Sequence, residues 1–189
     1  MSRIILSMTL ILFAMPLFLG CSNDDDKNQR PQNPVDQLPP ATQTGEETFG
    51  CLVDGKVFIP SGSSLGGPVL DCVYQFIDGE YYLSLQGNRR KDGMLQGVTL
   101  GTFKLKIEQS GVYSLSDNID GNAFGGWWFN PNSEYTFLYT SSTNIGKLHI
   151  TTLDETRQIV SGTFWFDIFL PNGEIVEIRE GRFDMPYTI

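Results

Sequence analysis

One histidine, three cysteines and thirteen basic residues are a thin supply of chemistry for a 189-residue chain. His149 with Cys51 and Cys72 falls short of the four ligands a structural zinc site needs. Twenty-two acidic residues against those thirteen leave a net charge of −9. That balance argues against nucleic acid or anionic headgroups as the main partner, because both reward clustered Lys and Arg. It points to no positive partner, since an acidic surface mostly serves solubility. After residue 20 no window carries a helical apolar face, and no pattern calls for a cofactor.

What is present begins at the amino terminus. Arg3 precedes an uncharged apolar run over residues 4–19, IILSMTLILFAMPLFL, interrupted by Pro16. A run this short reads as the apolar region of a signal peptide, 1–20, rather than as a spanning helix. Leu19-Gly20-Cys21 resembles the lipobox of bacterial lipoproteins, departing from it at Phe18, where Leu is usual. The resemblance implies cleavage before Cys21, lipidation of that cysteine and attachment to a membrane by acyl chains, each buried methylene contributing about 0.8 kcal/mol. Loss of Arg3 takes the net charge to −10. Asp24, Asp25 and Asp26 follow directly. They resemble the export signal that sends Bacteroidota lipoproteins to the outer face of the outer membrane; otherwise they are a solvated acidic tether. Residues 22–47 hold only Val35, Leu38 and Ala41 as apolar residues, with Pro31, Pro34, Pro39 and Pro40. They read as a semi-extended spacer, so 21–47 is tether and 48–189 the folded domain.

From Thr48 onward the apolar period is two, with turns every eight to twelve residues, which predicts an all-β domain. Residues 49–53 and 56–59 flank Asp54-Gly55, and 71–77 and 80–86 flank Asp78-Gly79, both suited to two-residue hairpin turns. Further strands are expected over 98–107, 112–115, 127–129, 135–140, 147–153, 160–170, 174–179 and 182–187. Sequential hairpins favour an antiparallel meander, closing into a barrel-like domain or folding into a two-sheet sandwich, with the barrel mildly preferred.

Several segments resemble a family of uncharacterised Bacteroidota lipoproteins classed as a domain of unknown function. They are Thr42-Gln43-Thr44-Gly45, the run TFGCLVDGKVFIP from Thr48 to Pro60, SGTFWF from Ser161 to Phe166, and Gly181-Arg182-Phe183-Asp184. The resemblance covers most of the chain after Cys21. It implies location and fold and transfers no catalytic residue.

With Cys21 committed to lipid, Cys51 and Cys72 form an even remainder in an oxidising compartment, where a disulfide is expected. Such a staple would restrict the unfolded chain by about 3 kcal/mol. The alternative is two buried free thiols.

Three signals look enzymatic. Gly62-Ser63-Ser64-Leu65-Gly66 matches the nucleophile-elbow pattern, and Asp117 or Asp120 followed by His149 would complete the chain order of a triad. An elbow needs a helix leaving it, however, and Gly67-Pro68 follows instead, so a flexible loop is the better reading. His149 lies in the polar alternation Lys147, His149, Thr151 and is expected to face solvent. Asp117-Asn118-Ile119-Asp120-Gly121-Asn122 resembles a calcium-loop fragment but lacks both end ligands, so it reads as a turn. Glu174 and Glu177 have no distinguishing context. The chain is therefore expected not to be an enzyme, a hydrolase standing as a distant alternative.

Aromatic residues lean toward binding. Trp127 and Trp128 are adjacent, so on a strand they must face opposite ways, and Trp165 must face away from Phe164 and Phe166. Exposed rings stack on sugars or apolar ligands, whereas the competing reading places all three in packing. Two functions follow as expectations. One is a surface lipoprotein holding a glycan or small apolar molecule in an aromatic cleft or barrel interior. The other is a non-catalytic accessory subunit whose apolar sheet face contacts an envelope protein.

Overall fold

The computed structural model describes residues 33–189 except 63–66, 92, 131–133 and 144–145. The expected signal peptide, Cys21, the aspartates at 24–26 and most of the 62–66 loop lie outside the described residues. Within them, alternation and turn chemistry build an all-β fold.

Asp54 and Gly55 both take positive φ, 49° and 72°, as do Asp78 and Gly79, 53° and 87°. Two successive left-handed residues match the twist of the flanking strands. They join β1 (Thr48–Val53) to β2 (Lys56–Phe58), and β3 (Leu70–Ile77) to β4 (Glu80–Lys91). A third hairpin, turning at Gly93, leads into β5 (Met94–Thr102). The remaining strands are β6 (Val112–Ser114), β7 (Ala123–Phe129), β8 (Thr136–Tyr139), β9 (Gly146–Asp154), β10 (Ile159–Phe169) and β11 (Ile175–Pro186).

The strands form two antiparallel sheets. The six-stranded sheet runs β2-β1-β11-β10-β9-β6 and the five-stranded sheet β3-β4-β5-β7-β8. The sandwich is the outcome, and the barrel preference is corrected. β1 pairs with β11, across nearly the whole domain, rather than with a sequence neighbour alone. That non-local pairing gathers the two ends of the domain into one sheet and leaves four strand edges. Isolated bridges, Val73 to Thr188 and Leu115 to Ala123, link the two sheets without closing them into a barrel. Residues 174–179 and 182–187, expected as separate strands, are one strand with a bulge.

The space between the sheets is filled with side chains. Phe49, Phe58, Phe166 and Phe183 interleave there with Leu85, Leu100, Leu148, Ile150, Ile168 and Ile178, all fully buried. A ligand inside a barrel is thus corrected too: the interior is core, and candidate surfaces lie on the outer faces.

Cys51 and Cys72 are both free and buried, which overturns the expected disulfide. Cys51 sits on β1 of one sheet and Cys72 on β3 of the other, each as an apolar core residue. Burial pushes both thiols well above the ordinary thiol range.

The tether boundary also moves. Residues 33–47 belong to the same compact unit as the sandwich. Asn33 caps a 3₁₀ turn, η1 (Pro34–Gln37), its side chain accepting from the N–H of Val35. Leu38 is buried, and Pro39 lies so close over Gly50 that a Cβ there would meet its Cδ at 2.6 Å. Gln43 accepts the hydroxyl of Thr152 at 2.8 Å. Thr44, Gly45 and Glu46 each donate a backbone N–H to the carboxylate of Asp184. The composition of this strap is polar because backbone hydrogen bonds, rather than apolar burial, hold most of it down.

Candidate functional site

A groove of about 700 Å³ opens on the outer face of the six-stranded sheet, within the range of small-molecule sites. Period-two alternation selects its floor. Phe164 and Phe166 of β10 turn toward the core, so Thr163 and Trp165 turn out. On β9, Lys147 stands opposite Trp165 and His149 opposite Thr163. On β11, Arg182 stands on the other flank of Thr163. Val112 of β6, opposite His149, closes one end, and Ala41 of the strap lines another side.

A bulge shapes the centre. β10 pairs Phe164 with Gly181 and Phe166 with Ile178, so Arg179 and Glu180 together oppose the single residue Trp165. Glu180 takes φ +54°, an uncommon conformation for a residue with a side chain. Bulges re-aim side chains, and here Arg179 swings over the Trp165 ring, its Cζ 5.6 Å from the centroid. The guanidinium is fixed from several directions. Its Nη2 pairs with Asp167 at 2.6 Å and Glu177 at 3.0 Å, and its Nη1 donates to the carbonyls of Phe166 and Ile178. Arg182 donates its Nε–H to the Glu180 carbonyl at 3.3 Å. Lys147 has no ion pair among the described residues and projects freely into solvent. The result is a half-buried indole with a rigid guanidinium over one face, ringed by donors on Lys147, His149, Thr163 and Arg182 and an acceptor on Glu180.

The other two tryptophans serve packing. Trp127 faces inward, edge-on to Phe58 at 5.9 Å, and is 5 % exposed. Trp128 faces outward as alternation requires, yet is only 6 % exposed. Phe137 and Tyr135 each pack 5.9 Å from it. It lies over Gly97, where a Cβ would meet its Nε1 at 2.0 Å. Neither ring is free for a ligand, so of the three expected ligand-binding tryptophans only Trp165 keeps that place.

Trp128 belongs to a wider aromatic layer on the outer face of the five-stranded sheet. Tyr82, Phe103, Phe124 and Tyr139 form a chain of ring contacts between 5.4 and 6.2 Å. Phe103, Tyr135, Phe137 and Tyr139 stay exposed on it. This layer was not legible as a surface because its members come from separate stretches of the chain that only the sheet brings side by side.

The enzyme-like signals come apart. Asp120 is paired with Lys104 at 2.5 Å, and Asp117 accepts the N–H of Ser142. The 117–122 segment is a turn, with Asn122 donating to the Asp117 carbonyl. No group of three or more potential metal ligands occurs among the described residues. His149 faces outward as expected, but as part of the groove wall. Glu174 bonds Asn172, while Glu177 serves Arg179. Sequence reading missed Arg179, Arg182 and Lys147. Alternation marks Lys147, but the bulge that aims Arg179 leaves no trace in composition.

No protein-family model, no curated protein and no solved structure matches the chain.

Proposed function

We propose that this protein is a lipoprotein anchored through Cys21 to the outer membrane and displayed at the cell surface, whose β-sandwich binds a glycan in the Trp165 groove. The observation that carries the reading is the Trp165–Arg179 pair at the floor of a 700 Å³ outer groove. An indole offers a flat face to the C–H face of a sugar ring, while fixed charged groups around it match hydroxyls in plane. Polar walls of this kind favour a glycan over a small apolar molecule. The strap supports display close to the membrane. Because residues 33–47 are held on the sandwich, only residues 22–32 would separate the lipid from the domain, a span of at most about 40 Å. The reading is tested by screening immobilised glycans with the domain and with its Trp165→Ala variant. Retention of a glycan by the parent and loss by the variant supports it; equal profiles refute it.

The aromatic outer face of the five-stranded sheet favours a second reading, an accessory subunit docking against another envelope protein through Tyr135, Phe137 and Tyr139. Co-purification that Phe137→Ser abolishes while glycan retention persists would identify that role.

A further inference from the structure

A second concavity, of about 220 Å³, lies where the β9–β10 turn and the carboxyl-terminal residues meet the β3–β4 hairpin. It is smaller than a drug-sized site and suited to a single headgroup. Four aromatic rings wall it at varied angles. Tyr74 stacks on Tyr81 at 5.5 Å and meets Tyr187 edge-on at 5.6 Å, and Phe76 tilts against Tyr81 at 4.7 Å. Tyr74 and Tyr187 are buried, with the Tyr74 hydroxyl held at the backbone of Ile107, so two walls are rigid. Phe76 is 60 % exposed at the mouth. Glu155 joins the lining as its carboxylate and forms no ion pair among the described residues. Burial pushes the Tyr74 and Tyr187 hydroxyls up, with a smaller contribution from the Glu155 charge at both. Lys106, which does not line the concavity, sets its ammonium 5.3 Å from the Tyr81 centroid.

We infer that Tyr74, Phe76, Tyr81 and Tyr187 with Glu155 form an aromatic cage for an organic cation, a quaternary ammonium or alkylated amine. Ring faces supply negative quadrupole potential, and the carboxylate balances the remaining charge without the dehydration a small ammonium would demand. The cage shares no residue with the Trp165 groove.

Choline and its neutral carbon isostere, 3,3-dimethylbutan-1-ol, separate charge from size. Each is titrated into the domain while the ring resonances of Phe76 and Tyr81 are followed by NMR at constant ionic strength. A saturable shift with choline, with affinity at least about fivefold above that of the isostere, is expected. Glu155→Gln should weaken choline severalfold and leave the isostere unchanged. Phe76→Ala, at an exposed position, should weaken choline as well. Equal affinity for both probes would make the concavity merely apolar, and absence of a saturable shift would remove the site; either result overturns the inference.

Discussion

Asp184 accepts the backbone N–H of Gly45 at 2.9 Å, a bond between residues 139 apart in the sequence. The carboxylate is fully buried on β11, and it also takes the Ser161 hydroxyl at 2.7 Å and the N–H groups of Thr44 and Glu46. One side chain thus pins the strap, β10 and β11 together. Thr44, Gly45, Ser161 and Asp184 come from three separate stretches of the chain, which converge on one structural node.

Burial alone would raise the Asp184 pKa, but the donated hydrogen bonds from Ser161, Thr44 and Gly45 outweigh it and hold the carboxyl at about 2. The depressed value means stability that is complete above the unfolded carboxyl's usual value near 4 and fades as pH falls toward 2. That contribution is about 2 kcal/mol. Asp184→Ala, which also orphans several donors, should cost about 2–4 kcal/mol at pH 7. Urea unfolding of parent and variant between pH 7 and pH 2 checks both. The parent's advantage should shrink through the acid range, and an advantage constant down to pH 2 would contradict the role given to the carboxylate.

The thiols give a second expectation. Cys51 and Cys72 should both alkylate in denaturant without reductant, and react slowly in the folded protein because burial disfavours the thiolate. Peptide mapping of protein from an oxidising compartment reads this directly. A linked Cys51–Cys72 peptide would reverse the assignment.

The tryptophans separate by stability. Trp127→Ala should cost about 3–5 kcal/mol, as for a large core aromatic, and Trp128→Ala should cost a comparable amount because its ring is sealed on the outer face. Trp165→Ala, half-buried in an open groove, should cost about 1 kcal/mol or less. Thermal unfolding of the three variants orders them. A severe loss at Trp165 would make it a packing residue.

Local chemistry was legible and non-local pairing was not. Asp54-Gly55 and Asp78-Gly79 announce their hairpins because a turn is a short-range device. The adjacency of Trp127 and Trp128 correctly fixes opposite faces, yet says nothing of Tyr135 and Phe137, which cover the outer one. The Cys51–Cys72 expectation failed since spacing along the chain does not reveal that β1 and β3 belong to different sheets. The strap was misread as spacer because its anchors are backbone N–H groups meeting a distant aspartate. Trp165 was found by alternation, and its partner Arg179 was hidden by a bulge.

The anchor proposal rests on residues 19–21 and is read by metabolic labelling. Cys21→Ser should abolish incorporation of a palmitate analogue and leave an unprocessed precursor. Replacing Asp24, Asp25 and Asp26 with Ala should leave the label but protect the domain from protease added to intact cells. Label retained by Cys21→Ser would contradict the anchor, and unchanged shaving would reduce the aspartates to an ordinary tether.

Binding at the Trp165 groove is the central claim, and titration of tryptophan fluorescence tests it most directly. A glycan retained in the screen is titrated into the folded domain, then into Trp165→Ala and Arg179→Lys. Arg179→Lys keeps the charge and loses the planar fork that Asp167, Glu177 and two carbonyls hold in place. The parent should show saturable quenching or a shift, Trp165→Ala should lose the signal and the affinity by calorimetry, and Arg179→Lys should bind about tenfold more weakly. Undiminished calorimetric affinity in folded Trp165→Ala would contradict the account.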